Sequence, residues 1–179
     1  MVAAAAMMWD GSGAAFSSMS EGPANGWSTG TVSLSDDDSS ALFSVSTLLP
    51  GDSGVKCIVV TYGGDLPAAV KLYAASYTTT RALGAYLNFT VDEGDGSSFS
   101  GSGPSSCPGF AISATLYNGT VDDFATTRTG YGSGVGSFAP TLAGQTRAFR
   151  FTYTLDATAP DGTQSGTASV GFTWEAANS

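Results

Sequence analysis

Hydrophobic and polar residues alternate along several short segments of the chain, most clearly near its C-terminus. Between residues 148 and 155 the large apolar side chains occupy every second position, at Phe149, Phe151, Tyr153 and Leu155. Residues 167–174 repeat the pattern, with apolar positions at Ala168, Val170, Phe172 and Trp174. Because successive side chains of a β-strand point to opposite faces, each run predicts a strand with one buried face. The turn-rich residues 156–166 between them predict that the two strands form an antiparallel pair.

Shorter runs of β-forming residues precede these two and are separated by Gly, Pro, Asp and Ser. They cover residues 31–34, 41–48, 55–62, 68–73 and 87–91. A further row expected to point inward consists of Phe110, Ile112, Ala114 and Leu116. About eight one-sided strands predict two packed sheets, because each apolar face must be buried against another sheet. The expected fold is all-β, a jelly-roll-like antiparallel β-sandwich, with short helical turns only at 121–127 and 82–86.

The N-terminal part of the chain has a different composition. Residues 10–30 are rich in Gly, Ser, Ala and Asn, which predicts an extended arm rather than core. The expected division is an N-terminal arm or donor segment over residues 1–26 and the sandwich domain over residues 27–179. Residues 1–9 are apolar and resemble the end of a signal-peptide apolar region, but no Lys or Arg precedes them. They are either a targeting remnant or part of the mature protein.

Charge excludes some classes of partner. The chain has 6 Lys and Arg against 15 Asp and Glu, a net charge of −9 and a pI of about 4.1. Such a surface repels phosphate backbones and anionic membranes, so we expect no nucleic-acid binding. No stretch approaches the roughly 20 apolar residues that a membrane span needs, so none is expected in the mature chain.

The chain has two cysteines, Cys57 and Cys107, and no histidine. Neither cysteine belongs to a CxxC motif, so we expect no zinc site, and no other metal or cofactor. A structural disulfide is favoured over a redox-active pair or a reactive thiol. A disulfide implies an oxidising compartment, and therefore secretion to the cell surface or beyond.

One tetrapeptide matches the surroundings of a protease nucleophile. Gly51-Asp52-Ser53-Gly54 occurs around the serine of chymotrypsin-like proteases. A serine hydroxyl needs a neighbouring base, usually histidine, and this chain has none. A turn at Pro50-Gly51-Asp52 between two strands is the favoured interpretation, and no catalytic residue is expected.

Spaced glycines at residues 130–136 are similar to a dinucleotide-binding loop. A phosphate cradle must run from a strand into the first turn of a helix, whereas Ser137-Phe138-Ala139-Pro140 follows here. We therefore expect a flexible loop.

Two acidic groups are candidates for calcium ligands or for a glycosidase carboxylate pair. They are Asp36-Asp37-Asp38 and Asp92-Glu93-Gly94-Asp95. Neither has the spacing of a known calcium loop, so solvated turns are the favoured interpretation.

Several motifs resemble one family of secreted bacterial proteins. Residues 27–34 (WSTGTVSL) and 42–52 (LFSVSTLLPGD) resemble the opening strands and "L-x-P-G-D" turn of the TasA/camelysin family. Residues 150–155 and 171–176 resemble its closing strands. The likeness covers most of residues 27–176 and is greatest to members from high-GC Gram-positive bacteria, in which a cysteine pair at about these positions is usual.

The resemblance implies a structural role outside the cell. It points to a jelly-roll subunit of a biofilm-matrix or pilus-like filament, in which the N-terminal segment of one subunit completes a sheet of the next. The partners would be further copies of the chain and accessory matrix proteins. Camelysin has also been described as a metalloprotease, but this chain has neither an HExxH motif nor any histidine.

The candidate donor strand is the apolar segment at residues 1–9. Its proposed assembly residues are Met1, Val2, Ala4, Ala6, Met7, Met8 and Trp9. Nine extended residues span roughly 30 Å, enough to cross a sandwich, and head-to-tail insertion would propagate into a filament. Four successive alanines, however, favour helix over strand. If the segment is removed in the cell, the assembly element moves to residues 14–25.

Two other functions stay open. A cell-surface or carbohydrate-binding module would use exposed aromatic residues, for which the candidates are Tyr62, Tyr73, Tyr77, Tyr86, Tyr117 and Tyr131. A secreted hydrolase would depend on Asp92, Glu93 or Asp95.

Overall fold

A computed structural model of the protein describes residues 17–20, 34–36, 48–95 and 107–178. The strands in these residues are β1 (Ser17–Ser20), β2 (Leu34–Asp36), β3 (Ser53–Tyr62), β4 (Ala68–Thr79), β5 (Leu87–Asp95), β6 (Ile112–Thr120), β7 (Thr146–Leu155) and β8 (Ala168–Asn178). The same residues contain one α-helix, α1 (Val121–Thr127), and 3₁₀ turns at Leu83–Tyr86, Tyr131–Ser133 and Asp161–Thr163.

The strands form two antiparallel sheets. One has five strands in the order β2-β3-β7-β5-β6, and the other has three in the order β1-β8-β4. The predicted all-β, jelly-roll-like sandwich is therefore confirmed. The predicted helical turn at 121–127 is also confirmed as α1, which begins where the Thr120 hydroxyl accepts the Asp123 N–H.

The predicted direct pairing of the two C-terminal strands is wrong. Strand β7 lies between β3 and β5, whereas β8 belongs to the other sheet. The two strands face each other across the core, where the ring centroids of Phe151 and Phe172 are 4.9 Å apart. Alternation shows that a strand has one buried face. The same sequence pattern results whether two such strands pair within one sheet or pack against each other from opposite sheets.

The core lies between the sheets and consists of apolar side chains of the strands together with Phe124 of α1. Its buried members include Ile58, Val60, Val70, Leu72, Phe89, Val91, Phe124, Phe149, Phe151 and Trp174. Each large apolar side chain that is fully buried contributes roughly 1.5–3 kcal/mol relative to an exposed one. The sandwich is therefore stabilised mainly by the packing of apolar side chains between the two sheets.

The predicted inward row of β6 is wrong at Ile112, which is exposed, whereas Tyr117 is buried. The register between β5 and β6 shifts between Val91 and Asp92, and again between Glu93 and Gly94. Each shift is a bulge, and an extra residue in one strand reverses which side chains point to the core. A strict period of two cannot be followed through these positions.

Candidate functional site: the edges of the sheets

The outer strands of a sheet carry unpaired N–H and C=O groups, and these edges are where another chain can pair. The two sheets have four edges in the described part of the chain, and these edges differ in how far other segments cover them. The edge beyond β2 is described over only three residues. The other three edges run along β4, β1 and β6.

The edge of β4 is closed by residues 128–140. The N–H groups that donate along it belong to Ala68, Val70, Leu72 and Ala74, and the acceptors are the carbonyls of Pro140, Phe138, Val135 and Arg128. These bonds are 2.7–2.9 Å long, and the Val135 N–H returns a bond of 2.8 Å to the Leu72 carbonyl. This segment, here called the strap, therefore covers the β4 edge from Ala68 to Ala74.

The glycines of the strap allow this close approach. Gly136 has φ +137°, and a Cβ there would lie 2.9 Å from the carbonyl oxygen of Val70. At Gly134 a Cβ would lie 3.0 Å from the Lys71 Cβ. The expectation of a flexible loop at 130–136 is therefore wrong, because the glycines serve backbone packing against β4.

Replacing Gly136 with alanine is expected to lower the free energy of unfolding by about 1–3 kcal/mol, because alanine is strained at this φ and its Cβ would meet β4. Gly132→Ala is the matched control, since nothing lies within 4 Å of a Cβ at that position. Urea unfolding of both variants tests the expectation. Equal midpoints for the two variants would show that the strap is not held as described.

The short strand β1 forms the edge beside β8. Ser17–Ser20 pairs antiparallel with β8, with Ser17 opposite Ala177 and Ser20 opposite Trp174. Four residues of the segment assigned to the arm, 1–26, thus belong to a sheet of their own subunit. The proposed donor residues 1–9 lie outside the described part of the chain, and so do most of the residues that follow them up to β1.

Within the described ranges, no segment other than β5 pairs with β6. Among the residues that the structure describes, only those of β5 form main-chain hydrogen bonds with residues 112–119. Natural edge strands are usually protected by charged side chains, by proline or by bulges. Strand β6 has bulges in its first half, but its sequence ISATLYNGT has no charged residue and no proline. This absence of protective residues was visible in the sequence, although the edge position was not.

Asp92, one of the acidic candidates, is buried in an ion pair. Its Oδ2 accepts two bonds from Arg150, of 2.7 Å from Nη2 and 3.2 Å from Nε. The hydroxyl of Thr115 donates to Oδ1 at 2.7 Å. The guanidinium also lies 5.1 Å from the ring centroid of Phe110. This carboxylate therefore holds β5, β6 and β7 together.

Glu93 is buried on the opposite face of β5 and holds the strap. Its Oε2 accepts bonds from the N–H and the hydroxyl of Ser137, at 3.2 Å and 2.5 Å. Its Oε1 lies 3.5 Å from Arg147 Nε. Asp95 ends β5 and is exposed. Among the residues that the structure describes, no three His, Cys, Asp or Glu side chains are grouped so that they could hold a metal ion.

The tyrosines considered for carbohydrate binding do not form an exposed platform. Tyr62, Tyr73 and Tyr117 are buried. Tyr77, Tyr86 and Tyr131 are half-buried. The hydroxyls of Tyr77 and Tyr131 donate to Asp122 and to the Ala69 carbonyl, respectively, at 3.0 Å each. Burial, with the neighbouring Asp123, raises the pKa of Tyr117 above its ordinary value.

The two cysteines form the expected disulfide. The Cα atoms of Cys57 and Cys107 are 5.9 Å apart, and Cys57 is fully buried. With Ala148, Val59 and Phe110 they make a second apolar cluster on the face of the five-stranded sheet that turns away from the other sheet. The bridge holds the chain leading into β6 against this face.

No protein-family model matches this chain. A search of curated proteins also finds no match. The likeness to the TasA/camelysin family therefore stays a prediction from the motifs quoted above. Within the described ranges, no helix has the length and apolar character that crossing a membrane requires.

Proposed function

We propose that this protein is a secreted structural subunit of an extracellular filament, of the kind found in a biofilm matrix. Copies join head to tail, and the N-terminal segment of one copy pairs with the open edge of β6 in the next. The observation that carries the proposal is the edge of β6, which has no charged residue and which no segment in the described part of the chain pairs with except β5. The resemblance to the TasA/camelysin family supports the same role.

The dimensions of donor and acceptor agree. Strand β6 has nine residues, and so has the apolar segment at residues 1–9. Each spans roughly 30 Å when extended, at about 3.3 Å per residue. Each main-chain hydrogen bond formed along the edge contributes about 0.5–1.5 kcal/mol net, so a full-length pairing supplies the affinity of a stable contact.

The connection between donor and body is short. β1 fixes the chain to its own β8 from Ser17 onward. Residues 10–16 therefore form the connector, and they reach about 23 Å when extended. A contact between two different surfaces, carried over from copy to copy, produces an open filament rather than a closed dimer.

The disulfide supports a location outside the cytoplasm. Bridges of this kind form and persist in oxidising compartments, which include the cell surface and the extracellular space. The low charge density, with 12% Asp, Glu, Lys and Arg, also agrees with a subunit that packs closely against its neighbours.

A lysine on the open edge is expected to weaken assembly. Asn118→Lys places a charge on β6, where edge lysines block the pairing of further strands. Thr90→Lys is the matched control, because Thr90 lies directly opposite Asn118 on β5, which is paired on both sides. The critical concentration for fibre formation should rise at least about tenfold for Asn118→Lys, the equivalent of about 1.4 kcal/mol.

Negative-stain electron microscopy and light scattering of the full chain measure this difference. Thr90→Lys should assemble as the unaltered protein does. If the critical concentration of Asn118→Lys equals that of the unaltered protein, the β6 edge is not the acceptor. If the unaltered protein stays monodisperse at every concentration, the filament role itself is wrong.

A further inference from the structure

The large apolar side chains that remain exposed are concentrated at the ends of the sandwich. In the described ranges they are Leu49 (69% exposed), Leu66 (47%), Leu142 (66%) and Ile112 (54%). Ile112 belongs to β6. The three leucines lie in loops at opposite ends of the molecule. Leu66 and Leu142 lie at the end near the buried Tyr62, and Leu49 lies at the end near the buried Leu155.

The first end, the Tyr62 pole, carries Leu66 and Leu142. Tyr62 accepts the Gly144 N–H at 2.7 Å and donates its own N–H to the Gln145 carbonyl at 2.8 Å. Its hydroxyl donates to the carbonyl of Leu66. The two loops that bear the leucines, 63–67 and 140–145, therefore lie side by side.

Leu142 is presented on an ordered turn. The side-chain oxygen Oε1 of Gln145 accepts the N–H of Thr141 at 2.5 Å and the N–H of Leu142 at 3.0 Å. Gly144, with φ +85°, completes the turn. An exposed leucine on such a turn loses little conformational entropy when it becomes buried in a contact.

Leu49 is presented in a similar way at the second end, the Leu155 pole. Its N–H donates to Asp52 Oδ2 at 2.8 Å, and its carbonyl accepts the Asp52 N–H at 2.9 Å. Gly51, with φ +90°, donates its N–H to the Leu155 carbonyl at 2.8 Å. Both poles therefore expose a leucine on a turn that a polar side chain holds in place.

The chain enters the body at the Tyr62 pole. Ser17 pairs with Ala177 near the end of β8, and the adjacent Asn178 pairs with Ala68 directly after the loop that contains Leu66. The segment that precedes Ser17 must therefore start from this pole. In the proposed filament, the copy that receives this segment lies beyond the Tyr62 pole.

We propose that the Tyr62 pole of one copy packs against the Leu155 pole of the next, with Leu142 and Leu66 of the first contacting Leu49 of the second. This inference rests on the proposed filament and names its second contact. The partner is another copy of the chain, because the segment that joins copies starts from the Tyr62 pole. The two poles are different surfaces of the same molecule, so their contact repeats from copy to copy without closing a ring. The contact fixes the spacing between subunits and shields the leucines from water.

The test is a charge exchange in the full-length protein. Leu142→Lys and Leu49→Glu should each raise the critical concentration for fibre formation at least about tenfold, because each leaves a charge opposite apolar side chains. The double variant should return to within about threefold of the unaltered protein, because the new charges are opposite in sign and meet across the contact. Leu142→Met and Leu49→Met, which keep the apolar volume, should assemble normally.

Each outcome decides the proposal. Rescue in the double variant supports it. If either single charge leaves assembly unchanged, or if the double variant is as impaired as the two singles combined, the pole contact is wrong while the filament stands. If the unaltered protein forms no fibres, both the pole contact and the proposed function fail.

Discussion

Replacing both Cys57 and Cys107 with serine is expected to lower the free energy of unfolding by about 4 kcal/mol. The bridge spans a sequence separation of 50 residues. In the chain-entropy model, closing a loop of that size restricts the unfolded chain by about this amount. Domains are typically stable by only about 5–15 kcal/mol, so the loss is a large part of the total.

The local structure adds to this effect. Cys57 and Ala148 are fully buried in the second apolar cluster, and Phe110 packs on them. Arg150, which pairs with the buried Asp92, lies against the Phe110 ring. Without the bridge, water gains access to this face of the sheet, where the loss of its apolar and ionic contacts favours unfolding.

Urea unfolding with and without a dithiol reductant measures the contribution of the bridge. The reductant should lower the unfolding midpoint of the unaltered protein to that of the double serine variant. It should leave the variant unchanged, which controls for other effects of the reagent. A loss below about 1 kcal/mol would mean that the bridge contributes much less than its loop length predicts.

Removing residues 1–9 is expected to abolish fibre formation and to leave the folded monomer intact. The deleted segment contains all the proposed donor residues, so no strand remains to pair with β6 of the next copy. The cut leaves β1 in place, and with it the pairing of Ser17–Ser20 to β8. The free energy of unfolding should therefore change by no more than about 0.5 kcal/mol, as for a change on the surface.

Local patterns predicted much of the fold. Alternation at Phe149 and Phe151 identified a strand with one buried face, and both residues are in the core. The turn at Pro50-Gly51-Asp52 is present as expected, because glycine tolerates the positive φ that the turn requires. These features depend on residues that are neighbours in the sequence.

The features that sequence reasoning missed depend on distant residues. The strap closes β4 through backbone groups some 60 positions away, so its glycines looked like a mobile loop. The bulges of β6 reverse its inward face, and nothing local to Ile112 predicts them. The distinction between pairing beside a strand and packing opposite it also needs the three-dimensional arrangement.

The acidic candidates illustrate the same limit. Asp92 and Glu93 are adjacent in the sequence, which suggested a solvated turn or a ligand group. In the structure they point to opposite faces of β5, toward Arg150 and toward Ser137 with Arg147. The partners are 44 to 58 residues away, so neighbouring sequence carries no sign of them.

The most direct test of the filament account is electron microscopy of the intact chain and of the chain lacking residues 1–9, at equal concentrations over a dilution series. The account predicts long, regular fibres from the intact chain and only monomers from the shortened one. Fibres of equal length and number from both proteins would contradict it.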